Sequence, residues 1–228
     1  MALEGLPGRL ARVRETIAAR QELAGLRHPV CIVAVTKTHG PETVREALAA
    51  GLADVGENRV QEALAKQDAL AGLPVNWHLI GSLQRNKARH AVGRFVLIHS
   101  VDRPELADAL AQRVGDGSRQ AVLVEVNTSG ETQKGGVAPD ALMALLDHLG
   151  GLPTLEVRGL MTMAPFTEDE GMQRRCFAEL RMLRERAGAA GYPLPELSMG
   201  MSADYPAAVQ EGATMVRLGT VLFGGRAP

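Results

Sequence analysis

The stretch Val30-Cys31-Ile32-Val33-Ala34-Val35-Thr36-Lys37 decides how the rest of the chain is read. It is apolar on both parities for six residues, then ends on a hydroxyl and an amine. A strand with one wet face alternates apolar and polar residues; unbroken apolarity marks a strand covered on both sides, as in a parallel sheet under helices. Before it, Leu6, Leu10, Val13 and Ile17 recur at helical spacing, so residues 7–24 read as an extra N-terminal helix.

The same grammar repeats downstream. Strand-like runs fall at Ala53-Asp54-Val55-Gly56, Trp77-His78-Leu79-Ile80, Phe95-Val96-Leu97-Ile98 and Ala121-Val122-Leu123-Val124-Glu125-Val126. Three more follow, at Leu155-Glu156-Val157-Arg158-Gly159-Leu160, Leu197-Ser198-Met199 and Met215-Val216-Arg217-Leu218. Helical patterns lie between them. Leu142, Leu145, Leu146 and Leu149 form one that stops at Gly150-Gly151. Met172, Cys176, Leu180, Leu183 and Ala187 form another, opened by Thr167 with Glu170 three residues on, a capping-box pattern. About eight strand–helix units predict a (β/α)8 TIM barrel, as one domain over residues 1–228. An open doubly wound sheet is the competitor, but no G-x-G-x-x-G follows the first strand.

Composition narrows the function classes. The 228 residues are 46% hydrophobic and 22% charged, enough to bury a core without metal or disulfide staples. A net charge of -1 with 3% aromatics argues against nucleic-acid binding. Cys31 and Cys176 form no CxxC pattern, and no basic-then-apolar leader opens the chain, so a reduced cytoplasmic protein is expected. No apolar run reaches the roughly 18 residues of a membrane-spanning helix. The six histidines show no metal-ligand spacing, and no G-x-S-x-G nucleophile elbow is present. His78, inside a strand, reads as a hydrogen-bonded core histidine.

In a barrel, chemistry sits at the C-terminal strand ends, and phosphate is often held by the loops after strands seven and eight. Lys37 ends strand one, Ser198-Met199-Gly200-Met201-Ser202 ends strand seven, and Arg217-Leu218-Gly219-Thr220 ends strand eight. Barrel closure makes strands one and eight neighbours. Each residue alone has an ordinary role: Lys37 reaching solvent, Ser202 capping a helix, Gly219 and Thr220 making a turn, Arg217 meeting a carboxylate. Asn58, with Gln61 three residues on, reads as a helix cap at the rim. Together they place an amine beside a phosphate cradle. That arrangement suits a Schiff base with a phosphorylated carbonyl compound, either a phosphosugar, as in aldolases, or pyridoxal phosphate.

These residues resemble the pyridoxal phosphate homeostasis protein family, whose fold is similar to the N-terminal barrel of alanine racemase. The resemblance runs over residues 30–226. It is carried by Val33-Ala34-Val35-Thr36-Lys37-Thr38, Gly56-Glu57-Asn58-Arg59-Val60-Gln61-Glu62 and His78-Leu79-Ile80-Gly81-Ser82-Leu83-Gln84-Arg85-Asn86-Lys87. It continues through Val126-Asn127-Thr128-Ser129-Gly130-Glu131, Lys134-Gly135 and Arg158-Gly159-Leu160-Met161-Thr162-Met163. Leu197-Ser198-Met199-Gly200-Met201-Ser202-Ala203-Asp204 and Val216-Arg217-Leu218-Gly219-Thr220 close it. The resemblance implies pyridoxal 5'-phosphate (PLP) as cofactor, with Lys37 forming the Schiff base. It sets Ser202, Gly219 and Thr220 around the phosphate, Arg217 at the pyridine nitrogen and Asn58 along the ring. Two positions depart from many family members: His39 stands where they carry a second lysine, and Thr36 where they carry serine.

By that resemblance the protein is expected to hold PLP and pass it to PLP-dependent apo-enzymes, as a monomer and without catalytic turnover. A charged guanidinium at the pyridine nitrogen makes the ring a weak electron sink, which suits storage or racemization better than transamination. The alternative is a PLP-dependent amino-acid racemase. Racemization needs a second base, and Tyr192 and Tyr205 are the only tyrosines.

Overall fold

The computed structural model describes residues 5–131 and 133–225. Residues 1–4, on which the leader reading partly rests, and Arg226, where the resemblance ends, lie outside them. Eight parallel strands close into a barrel in the order β1 to β8. The chain runs α1 (Leu6–Leu23), β1 (Cys31–Val35), α2 (Pro41–Ala49), β2 (Asp54–Glu57), α3 (Val60–Ala69), β3 (Asn76–Leu79) and α4 (Ala88–Ala91). It continues with β4 (Leu97–Val101), α5 (Pro104–Ala111), β5 (Gln120–Glu125), α6 (Leu142–Gly150), β6 (Leu155–Met161) and α7 (Glu170–Ala189). Then come β7 (Glu196–Met201), α8 (Tyr205–Gln210), β8 (Met215–Leu218) and α9 (Thr220–Phe223). The doubly wound alternative is thereby ruled out, because β1 pairs with both β2 and β8.

The two-sided apolarity of β1 has a direct cause. Ile32 and Ala34 join the large cluster between barrel and helices. Val33 and Val35 are also buried but belong to the opposite parity, facing the lumen. A second, small cluster of Leu97, Leu123 and Met161, with Ala121, Met163 and Met215 beside it, fills part of that lumen. Cys31 lies opposite Met215 and Val33 opposite Arg217, which aligns the exits of β1 and β8.

Helix α1 buries Leu6, Leu10, Val13 and Ile17, the four residues its sequence put on one face. It packs against α8 and α9, and Arg9 Nε donates to the Leu222 carbonyl of α9 at 2.5 Å. The extra helix therefore braces the short element that follows β8.

Three local expectations are corrected. The cap of α7 is Asp169, which accepts from the Met172 amide at 3.1 Å, while Thr167 accepts from the Asp169 amide. Helix α3 starts one residue later than expected, with Arg59 rather than Asn58 at its N-cap and no side-chain cap bond. Asn58 is held back at the rim because a Cβ on Gly81 would stand 2.3 Å from its carbonyl oxygen, so only glycine lets the two loops meet. Strand β4 begins at Leu97 and runs through His99 and Ser100, beyond the apolar run, because those polar residues are satisfied inside the barrel.

Candidate functional site at the C-terminal mouth of the barrel

Lys37 sits in a turn just past β1, half-buried. The Thr36 amide still bonds the Gly56 carbonyl at 3.2 Å, so the sheet fixes the backbone up to the residue before the lysine. Immediately after it, Thr38 has φ 68°, the one positive φ at a non-glycine among the described residues. A β-branched residue there is strained by about 1–3 kcal/mol, a conformation that persists where surrounding structure imposes it. The lysine amine itself meets no hydrogen-bond or charge partner among the described residues.

Beneath Lys37 lies a buried network that reading the sequence did not single out. Thr36 Oγ1 donates to Glu57 Oε1 at 2.5 Å, and Lys66 Nζ reaches the same oxygen at 2.5 Å and the Thr36 carbonyl at 2.7 Å. Lys66 follows Val60 and Ala63 on the inward face of α3, which is the signal that marks it as buried. Glu57 is fully buried and its Oε2 has no partner among the described residues.

Across the mouth, Ser202 does not cap α8, whose N-cap is Asp204. Its Oγ accepts instead from the Gly219 amide at 3.2 Å and the Val221 amide at 3.3 Å. Two backbone N–H groups and a hydroxyl thus converge where β7 and β8 open. Gly200, at φ 92°, makes this possible, because a Cβ there would stand 2.6 Å from Ala208. The loop can then turn tightly over α8 and carry Ser202 to the neighbouring strand end.

Arg217 does not bond a carboxylate. Its Nη1 donates to the Ser198 carbonyl and hydroxyl, each at 2.7 Å, and its Nη2 to the Thr162 carbonyl at 2.8 Å. Those three bonds leave two of a guanidinium's five N–H groups uncommitted. Burial lowers its pKa to about 10, opposed by the charges of Asp204 and Glu125, so it remains a cation at neutral pH.

Glu125 ends β5 nearby. Burial, reinforced by the charge of Asp102 and opposed by Arg217, raises its pKa from 4.5 to about 7. The folded state therefore holds a proton that the unfolded chain releases. The associated stability is present below about pH 4.5 and is lost as pH rises through about 7. Glu125→Gln is expected to unfold no more readily than wild type at pH 4 and to be more stable by about 3 kcal/mol at pH 8. Denaturant titrations at the two pH values check this, and an equal offset at both would contradict it.

Lys37, Asn58, Ser202, Arg217, Gly219 and Thr220 all line one cavity of about 270 Å3, together with Val35, Ile80, Met163, Phe166, Met201 and Ala203. Larger clefts of about 670 and 600 Å3 lie elsewhere, one beside the helices, the other against α1 and the strand beginnings. The mouth cavity is the better candidate because it joins an unbonded amine, convergent backbone donors and a buried cation. Tyr205 is buried in the layer between barrel and helices and is absent from the lining.

Fold and site define a class: (β/α)8 barrels of the alanine racemase N-terminal type with a lysine leaving the first strand. The family model for the alanine racemase N-terminal domain matches residues 9–227. A pyridoxal phosphate homeostasis protein of Aquifex aeolicus is 46% identical over 96% of this chain and 97% of its own length. That of Pseudomonas aeruginosa is 46% identical over 95% and 94%. The solved structure of PipY from Synechococcus elongatus with PLP bound is similar at a TM-score of 0.84 and 42% identity, over 96% of this chain and all of that one. An alanine racemase of Clostridium difficile shares the fold at a TM-score of 0.77 and 16% identity, over 99% of this chain but 61% of its own. The chain belongs to the pyridoxal phosphate homeostasis protein family.

Proposed function

We propose that the protein binds pyridoxal 5'-phosphate as a Schiff base on Lys37, keeps this reactive aldehyde available, and passes it to PLP-dependent apo-enzymes. The observation that carries the reading is the junction in one cavity of the unbonded Lys37 amine, the Ser202 and Gly219 donor set, and Arg217. The donor set fits the cofactor. When bound, PLP supplies an aldehyde that traps an amine and a phosphate that takes hydrogen bonds. Ser202, Gly219 and Thr220 would hold the phosphate, Asn58 would line the ring, and Arg217 would face the pyridine nitrogen with its uncommitted N–H groups.

A cation fixed at that nitrogen disfavours protonating it, which suits holding the cofactor more than using it as an electron sink. The racemase alternative gains no support from Tyr205, whose ring lies outside the cavity lining. Racemization of any amino acid that disappears in Tyr205→Phe would overturn the carrier reading. Both cysteines are free thiols, in keeping with a reducing cytoplasm, and the protein is proposed to act as a monomer. Among the described residues no helix is long and apolar enough to cross a membrane.

The test is a visible spectrum of the purified protein, borohydride reduction and peptide mapping, followed by transfer to an apo-enzyme. A pyridoxyl group on Lys37 and reactivation of the apo-enzyme are expected; an adduct elsewhere, or none, would remove the reading. Ser202→Ala is expected to weaken PLP binding by about 10- to 100-fold, the worth of one hydrogen bond to a charged group. Absorbance titration of the apo-protein with PLP measures this.

A further inference from the structure

The barrel lumen carries a polar seam running from one end of the barrel to the other. Asp54 opens β2 at the N-terminal end, and its Oδ1 lies 3.0 Å from His78 Nε2. His78 Nδ1 lies 3.0 Å from His99 Nε2, and His99 Nδ1 lies 2.9 Å from Ser198 Oγ. Ser198 Oγ accepts from Arg217 Nη1 at 2.7 Å. The four bonds join strands β2, β3, β4, β7 and β8, and His99 and Ser198 are fully buried.

The sense of every bond is fixed by what the two ends can do. Arginine only donates, so the Ser198 oxygen accepts from it and the Ser198 hydrogen must go to His99 Nδ1. A neutral His99 then carries its proton on Nε2 and donates to His78 Nδ1. A neutral His78 carries its proton on Nε2 and donates to Asp54, a carboxylate that only accepts. Burial, with the charge of Arg217, pushes His99 well below the ordinary imidazole range, and the His78 bond holds the Asp54 carboxyl below its usual value. A neutral His99 and an ionised Asp54, which the bonds require, are therefore the states their surroundings favour. Run in the opposite sense, the chain would leave the buried Ser198 hydrogen without an acceptor, a cost of about 1–3 kcal/mol.

We propose that Asp54 is a positioning residue for the Arg217 guanidinium, acting through His78, His99 and Ser198 as one polarised hydrogen-bond chain along the lumen. Bonds in such a chain strengthen one another, so a change at one end is felt at the other. The Asp54 side chain is 32% exposed whereas that of His78 is 4% exposed. Asp54 and His78 both border a cavity of about 240 Å3 at the N-terminal end. A solvent-facing carboxylate at the N-terminal end of the barrel thus sets the orientation and polarisation of the cation near its C-terminal mouth. Asn76 Nδ2, at 3.2 Å, also donates to Asp54 and holds it in place. What this means for the cofactor rests on the reading above, in which Arg217 faces the pyridine nitrogen.

The test begins on apo-protein, where the cofactor plays no part. Long-range 15N–1H correlation spectra should show His78 and His99 as neutral Nε2–H tautomers at pH 7. An Nδ1–H tautomer or an imidazolium at either position would overturn the chain. Asp54→Asn should then move the ring resonances of His99 and the Nη–H resonances of Arg217; changes confined to His78 would overturn it as well. In protein loaded with PLP, Asp54→Asn should shift the visible band and speed PLP release by about two- to tenfold, the coupling usual within one hydrogen-bond network. An unchanged band and release rate would remove Asp54 from the positioning of the cofactor. If wild type takes up no PLP, the reading of the cavity fails while the imidazole spectra still decide the chain.

Discussion

Lys37→Ala is expected to yield a folded, colourless protein that borohydride reduction leaves without a pyridoxyl group. Among the described residues Lys37 is the one lysine lining the mouth cavity, and imine formation requires a primary amine. Its side chain makes no hydrogen bond or ion pair among the described residues. Its removal should therefore cost the fold no more than about 0.5 kcal/mol, the range for a position without structural partners. Lys37→Arg sharpens the result, because it keeps the positive charge but cannot form the imine. If the lysine acted only by attracting the phosphate, arginine would restore PLP uptake. On the covalent reading arginine is as colourless as alanine. A visible band surviving in either variant, with the adduct on another lysine such as Lys134, would refute the assignment.

The barrel was legible because both layers of β1 are apolar for separate reasons, one facing helices and the other the lumen. Every strand fell within a few residues of its expected place. The β4 discrepancy is instructive: the sequence polarity of His99 and Ser100 argues against a strand core. In the fold both are satisfied, by Ser198 and by the Gly81 carbonyl. The lumen of this barrel is part polar, and apolar periodicity cannot see a polar interior.

The site was legible to the extent that it follows from strand ends. Lys37, Ser202 and Arg217 leave β1, β7 and β8, and closure alone brings those exits together. What supports them was not legible, because each supporting contact joins residues distant in sequence. His99 meets Ser198 across 99 positions, and Arg9 meets Leu222 across 213. Thr38 also escaped notice, since nothing in its neighbours demands a left-handed backbone there. Glu57 was quoted within a motif, but its partner Lys66 shows only as a lysine on the inward face of a helix.

That pair gives the largest stability effect expected of a single substitution. Lys66→Ala should destabilise the protein by about 3–5 kcal/mol, the cost of leaving a buried charge uncompensated. The side chain of Glu57 has no exposed surface and that of Lys66 has 9%. Glu57 Oε2 already lacks a partner among the described residues, so the carboxylate has little other support to fall back on. At about 2–4 °C per kcal/mol for a domain of this size, the melting temperature should drop by roughly 6–20 °C. Replacing both residues with apolar ones of similar volume, Glu57→Leu with Lys66→Met, should recover most of the loss, because the desolvation cost disappears together with the attraction. A Lys66→Ala protein melting within 2 °C of wild type would show that the pair is not the buried ion pair described. The repaired double variant also separates stability from function. Lys66 holds the Thr36 carbonyl and Glu57 holds the Thr36 hydroxyl, so the peptide leading into Lys37 loses both anchors. The double variant should therefore be stable yet release PLP faster than wild type.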